Sequence, residues 1–193
     1  MKRCEWVKLN EPVYVEYHDN EWGVPVTDDR YLFEMLCLEG AQAGLNWLTI
    51  LKRREGYRAL FANFDIDVVA AFTESQVESI LLDARIIRNR KKVESVVQNA
   101  KCVQAVQKEF GSFANYVWSW VDGVQIVNEW KTVQEVPATS SISDAFSKDL
   151  KKRGFKFVGS TTIYAYMQAV GLVWDHVADC HCKIQHDLHV LKV

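Results

Sequence analysis

No stretch of the chain approaches the roughly 20 consecutive apolar residues needed to cross a bilayer. The opening Met1-Lys2-Arg3-Cys4-Glu5-Trp6 also lacks the apolar core of a secretory leader, so a cytoplasmic protein with no membrane attachment is expected. Proline and glycine are scarce, 3 and 9 of 193 residues, which excludes collagen-like and low-complexity chains. Cysteine is odd in number, five, which in a cell-interior protein speaks against a disulfide framework and for metal binding or burial. Excess positive charge is missing too: the net charge is -2, so no overall basic surface is available to neutralise phosphates. Basic residues cluster instead at Lys52, Arg53, Arg54 and Arg58, at Arg85, Arg88, Arg90, Lys91 and Lys92, and at Lys148, Lys151, Lys152, Arg153 and Lys156. Taken alone, each run reads as a solvated helix face.

What is present is the balance of an ordinary globular protein, 49% hydrophobic and 25% charged, with enough chain for one core or two lobes sharing one. Helical spacing dominates. Leu32, Met35, Leu36 and Ala43 share a face after the acidic Thr27-Asp28-Asp29, and a helix from Trp47 through Leu51 continues toward Tyr57, Leu60 and Phe61. Val77, Ile80 and Leu81 follow a cap at Thr73 or Ser75, and Val93, Val96, Val97, Ala100 and Val103 mark a long helix. Further helices are predicted over 113–120, over 143–153 with a cap at Ser143-Asp144 and a stop at Gly154, and over 161–171. Val13-Tyr14-Val15 and the stretch 124–136 carry weak strand character without partners, so the fold reads as all-α.

Three groups of residues carry chemistry. Cys4, His18, His176 and Cys180 are donors suited to zinc, and the four-residue step from His176 to Cys180 fits one helical turn. The other reading is a free terminal thiol and a merely polar His-rich tail containing His181, Cys182, His186 and His189. Two Cys and two His would fill a tetrahedral shell and leave no open position, which makes such a metal a structural clip. Glu39 stands on the apolar face of its helix, where a carboxylate is costly unless bonded. Either a backbone donor or basic neighbour satisfies it, or it works with Trp6, Tyr14, Tyr17, Trp22 and Trp47 to hold a flat cation. Those aromatics read equally well as core. Finally, the short connection from Leu82 to Ile87 followed by Arg88-Asn89-Arg90-Lys91-Lys92 is either a plain helical hairpin or a phosphate seat at a helix N-terminus.

The runs Tyr17-His18-Asp19-Asn20-Glu21-Trp22-Gly23, Leu38-Glu39-Gly40-Ala41-Gln42-Ala43-Gly44-Leu45-Asn46-Trp47, Ile86-Ile87-Arg88-Asn89-Arg90 and Lys152-Arg153-Gly154-Phe155-Lys156-Phe157-Val158-Gly159 occur in this order. Over residues 1 to 182 the chain resembles the 3-methyladenine DNA glycosylase I family. The resemblance implies a helix-hairpin-helix glycosylase, with the hairpin element at about 75–108. It also implies one structural zinc on Cys4, His18, His176 and Cys180, clipping a lobe formed by about 1–30 and 160–182. A tail over 183–193 is left open to disorder. Glu39 falls on the carboxylate that recognises the flipped base, and Tyr14, Tyr17, Trp22 and Trp47, with Trp6 as neighbour, fall on its aromatic pocket. Leu45, beside Gly44, matches the residue that fills the gap in the duplex, and Ala84 to Arg90, including Arg85 and Arg88, matches the backbone-binding element. No lysine falls where related lyases keep their nucleophile, so the implied enzyme is monofunctional. It would be a monomer acting on alkylated double-stranded DNA and releasing free 3-methyladenine, the alternative being a binder of alkylated DNA or cationic purines without turnover. Two positions depart from the family pattern: Arg85 stands where glycine is common, and Trp174 where asparagine is expected.

Overall fold

Pro12 at the start of a helix costs no hydrogen bond and presets the helical φ. It makes Val13-Tyr14-Val15 part of α1 (Pro12–Asn20) rather than a strand. Asp28 accepts the Tyr31 backbone N–H and opens α2 (Asp29–Gln42). Every residue of α2 from Leu32 to Ala41 is buried, the signature of a helix enclosed on all sides. Its neighbours are α3 (Trp47–Leu51), α7 (Arg90–Phe110), α8 (Phe113–Ser119) and α10 (Ser160–Ala169). Ala43 lies beyond the expected face: it caps the C-terminus of α2 and is exposed. The computed structural model describes residues 1–184.

The helix expected from Trp47 onward is two, α3 and α4 (Arg54–Leu60), separated at Lys52 and Arg53. A 3-10 turn at Ala62–Phe64 and α5 (Ile66–Ala70) follow, with α5 lying along α7. Thr73 and Gln76 form a capping box that starts α6 (Glu74–Leu81), and Asn89 caps α7. Residues 82–89 join the two as a short hairpin. Gly56 of α4 packs onto that hairpin so closely that a Cβ there would stand 2.6 Å from the Arg85 Cβ and 2.7 Å from its carbonyl oxygen. Arg85 has no positive φ, so a side chain fits where the family pattern favours glycine.

α9 (Ser141–Lys152) begins earlier than expected because Ser140, not Ser143-Asp144, is the cap: the Ser140 and Ser143 side chains each accept the other's backbone N–H. Among the described residues one departure from an all-α fold exists. β1 (Ile126–Val127) pairs in parallel with β2 (Val173–Trp174), Ile126 opposite Val173. This bridge holds the loop after α8 against the chain leading to His176. The Lys2 carbonyl accepts the His181 N–H at 2.9 Å, bringing the two ends of the described chain together. Of the tail over 183–193, Lys183 is buried and donates to Glu129, and residues beyond 184 lie outside those described. Among the described residues no helix is long and apolar enough to cross a membrane.

Candidate active site and metal cluster

Glu34 and Glu39 are both buried carboxylates on α2, but five residues apart, which turns them about 140° from each other around the axis. Glu34 is neutralised: Arg54 donates to it from Nε, and Arg58 does so at 3.0 Å. Glu39 has no such neighbour. Among the described residues no group donates a hydrogen bond to it, and burial alone raises its pKa to about 8. The reading in which a basic side chain satisfies a buried glutamate thus holds for Glu34 and not for Glu39.

Glu39 lines a cavity of about 200 Å³ together with Trp6, Tyr14, Tyr17, Trp22 and Trp47. The rings pack edge to face or tilted: Trp6 lies 5.0 Å from Trp22 and 5.2 Å from Tyr14, and Tyr17 lies 5.4 Å from Trp47. Burial raises the pKa of Tyr17 well above the ordinary phenol range and that of Tyr14 less, with Glu39 adding to both, so the hydroxyls stay protonated. The buried Trp47 Nε1 has no acceptor among the described residues. The space suits one flat base rather than a whole nucleotide, and its polar groups are a carboxyl, phenols and an indole N–H.

Several lining residues escaped the sequence reading: Gln42, Val133, Val136, Ala165, Gln168 and Asp175. Asp175 is buried but satisfied, accepting from Asn128, Trp130, Tyr164 and Gln168 at 2.7–2.8 Å. It fixes the strand end just before His176. These donors come from distant parts of the chain and leave no local pattern. Trp174 packs 4.6 Å from His176 and against Gly23, outside the cavity wall, so the departure at that position leaves the pocket intact.

Cys4, His18, His176 and Cys180 converge, all four buried, with donor atoms within 4.8 Å of one another. His176 and Cys180 stand on a turn after β2, not on one helical face as their spacing suggested. The Cys180 Sγ lies 3.4 Å from His176 Nδ1 and 3.5 Å from His18 Nε2, and Cys4 Sγ lies 3.8 Å from His176 Nδ1. A tetrahedral zinc site requires sulfur-to-nitrogen separations of about 3.6 Å. Each histidine has its other nitrogen engaged: Nδ1 of His18 meets Asp19 at 2.7 Å, and Nε2 of His176 meets the Trp22 carbonyl at 3.0 Å. Those acceptors fix the tautomers that present bare nitrogens to a common centre. The donor set can hold a metal. It also abuts the aromatic cavity, because Trp6 contacts His18 and Trp22 contacts His176, at 5.2 and 4.7 Å.

On the outer face, Gly44 (φ 78°) and the half-exposed Leu45 form the turn between α2 and α3. The hairpin arginines differ in availability. Arg85 folds back on Asp83, and Arg90 is shared among Glu74, Glu78 and Glu94, whereas Arg88 is exposed without an anionic partner among the described residues. In the first and third basic runs several cations are internally paired, Lys52 with Glu11, Arg58 with Glu34 and Glu55, and Arg153 with Glu109 and Asp149.

Residues 6–183 match the methyladenine glycosylase family. The chain is 52% identical over 182 residues to DNA-3-methyladenine glycosylase 1 of Escherichia coli K12, covering 94% of this chain and 97% of that protein. It superimposes with a TM-score of 0.91 on a crystal structure of a 3-methyladenine DNA glycosylase I, 51% identical, over 94% of this chain and 99% of the other. The same score is reached against 3-methyladenine DNA glycosylase I of Staphylococcus aureus, a structure that addresses 3-methyladenine recognition, at 36% identity over 95% and 97% of the two chains. With the match running through nearly the whole length, the chain belongs to the methyladenine glycosylase family.

Proposed function

We propose that the chain is a monofunctional DNA glycosylase that takes 3-methyladenine out of alkylated duplex DNA and hydrolyses its N-glycosidic bond, leaving an abasic site in an unbroken strand. The observation that carries this reading is Glu39, a carboxyl buried without a hydrogen-bond donor in a cavity walled by tryptophans and tyrosines. N3-alkylation gives adenine a positive charge while it is attached to the sugar. Such a ring gains from aromatic faces and from a carboxylate that accepts its N–H groups. The base then departs neutral, water supplies the hydroxyl that ends on the sugar carbon, and little acid catalysis is required. Unstacking costs a few kcal/mol, less for a damaged pair, which contributes to selection before the pocket is reached.

In this reading α6, the 82–89 connection and α7 are the helix-hairpin-helix element, and Arg88 with the backbone around it contacts phosphates. Arg85 and Arg90 contribute mainly by shaping the hairpin. Leu45, on the turn opened by Gly44, occupies the space vacated by the base. Cys4, His18, His176 and Cys180 would hold one zinc ion, which, with all four positions filled by protein, supplies structural cross-linking and no activated water. Supporting this are the donor separations and the hydrogen-bonded outer nitrogens of both histidines.

The test is incubation with methylated duplex DNA and identification of what is released. Free 3-methyladenine and alkali-labile but unnicked strands are expected. Tight binding without release would assign the chain to the binders of alkylated DNA instead.

A further inference from the structure

Lys92 belongs by sequence to the basic run of the hairpin, yet its ammonium group does not face outward with the others. It donates to the carbonyl oxygens of Ala41 at 2.8 Å and Ala43 at 2.7 Å, the terminal carbonyls of α2, which have no partner within their own helix. Its position in α7 makes this notable. Lys92 is in the first turn of α7, where a cation opposes the helix dipole, and it follows Arg90 and Lys91 directly. The cost is offset at the other end of the side chain, because the C-terminus of α2 is where a cation is favoured. Partial burial also lowers its pKa.

One side chain therefore joins three things. It rises from the start of α7, beside the hairpin. It grips the last turn of α2, the helix that carries Glu39. And its second acceptor, Ala43, immediately precedes Gly44 and Leu45, whose turn is otherwise tied back by Ala43 N–H to the Gly40 carbonyl at 3.3 Å, Leu45 N–H to the Gln42 carbonyl at 2.7 Å and a long Gln42 side-chain contact at 3.4 Å. A Cβ on Gly44 would meet nothing within 4 Å, so packing does not immobilise this turn.

We propose that Lys92 is a positioning residue, fixing the Gly44-Leu45 turn to the hairpin so that Leu45 enters the duplex in register with the phosphates the hairpin holds. This rests on the reading of Leu45 as the side chain that fills the gap left by the base.

The experiment compares wild type, K92M, K92R, L45A and the K92M/L45A double variant for base release from methylated duplex and for binding of free 3-methyladenine. K92M is expected to lower kcat on duplex roughly ten- to hundred-fold, the penalty of small misplacement, while free-base affinity and Tm stay close to wild type. K92R, which keeps charge and donors, should recover part of the loss. In the double variant the two losses should not add, because both act through one turn. Additive losses, or a K92M enzyme with normal kcat beside an impaired L45A, overturn the role of Lys92. An unimpaired L45A instead overturns the reading of Leu45. Equal loss of free-base binding in K92M and K92R would reduce Lys92 to general support of the pocket and refute the proposal.

Discussion

Two glutamates on one helix, both removed from solvent, show how much a single partner matters. Glu34 has Arg54 and Arg58, and only removal of both arginines would strand its buried charge, whereas Glu39 already stands without a donor. Its pKa of about 8 exceeds the unfolded value, so the folded state holds the extra proton. Stability is then unaffected below the ordinary carboxylate range and declines as pH rises from there to about 8. E39Q should remove that slope, giving a Tm above wild type at alkaline pH and equal to it in acid. On alkylated duplex, wild-type kcat/KM should climb with pH through a midpoint near 8 toward a plateau above it, where the free enzyme carries the carboxylate. E39Q should be flat and roughly ten- to hundred-fold slower on the plateau, the worth of one charge-assisted hydrogen bond. A steep profile surviving in E39Q would take the titration away from this residue. The sequence displayed Glu39 on its apolar face and the aromatics near it. It did not display Glu34 as the contrasting case, because Arg54 and Arg58 lie at the far side of two turns.

Hairpin cations were legible as a run, but their division of labour was not. Partners of Arg90 lie on α6 and on the next turn of α7, and only the packing of the two helices brings Glu74, Glu78 and Glu94 around one guanidinium. R88A should therefore weaken binding to undamaged duplex and reduce the salt slope by about 1, the signature of one lost phosphate contact. R90A should change the slope less, and measuring both slopes decides between them. Helix starts were read well where a cap and its N3 partner lie in the open, as at Thr73 and Gln76. At Ser140 the cap was displaced because several serines in succession offer equivalent oxygens. Three residues of alternating pattern, Val13 to Val15, cannot distinguish strand from helix, and Pro12 decided the matter. The bridge between β1 and β2 was invisible for a different reason: each strand is two residues long, and each is defined only by the other.

At the scale of the molecule, the Cys/His cluster that could hold a metal and the cavity share a wall, since Cys4 lines the pocket and the cluster's histidines touch Trp6 and Trp22. Chelation should therefore lower stability and free-base affinity together, with each kcal/mol lost costing roughly 2–4 °C of Tm in a chain this long. Base binding that persists in demetallated, folded protein would separate the two. Asp19, held by Arg3 at 2.6 Å and bonded to His18, is placed to orient that imidazole. D19N should weaken metal affinity roughly ten- to hundred-fold, as read by competition with a chelating dye. The four Cys and His side chains stood out in the sequence, but their spacing did not show them meeting, which joins parts of the chain as distant as Lys2 and His181.

That meeting has a consequence for synthesis. Trp6, Tyr14, Tyr17 and Trp22 are translated well before His176 and Cys180, against which part of that wall rests. Everything through Cys180 must therefore have left the ribosome before the cavity wall can close. Chains cut short before His176 should thus lack that wall and release no base, however much helix they have already formed.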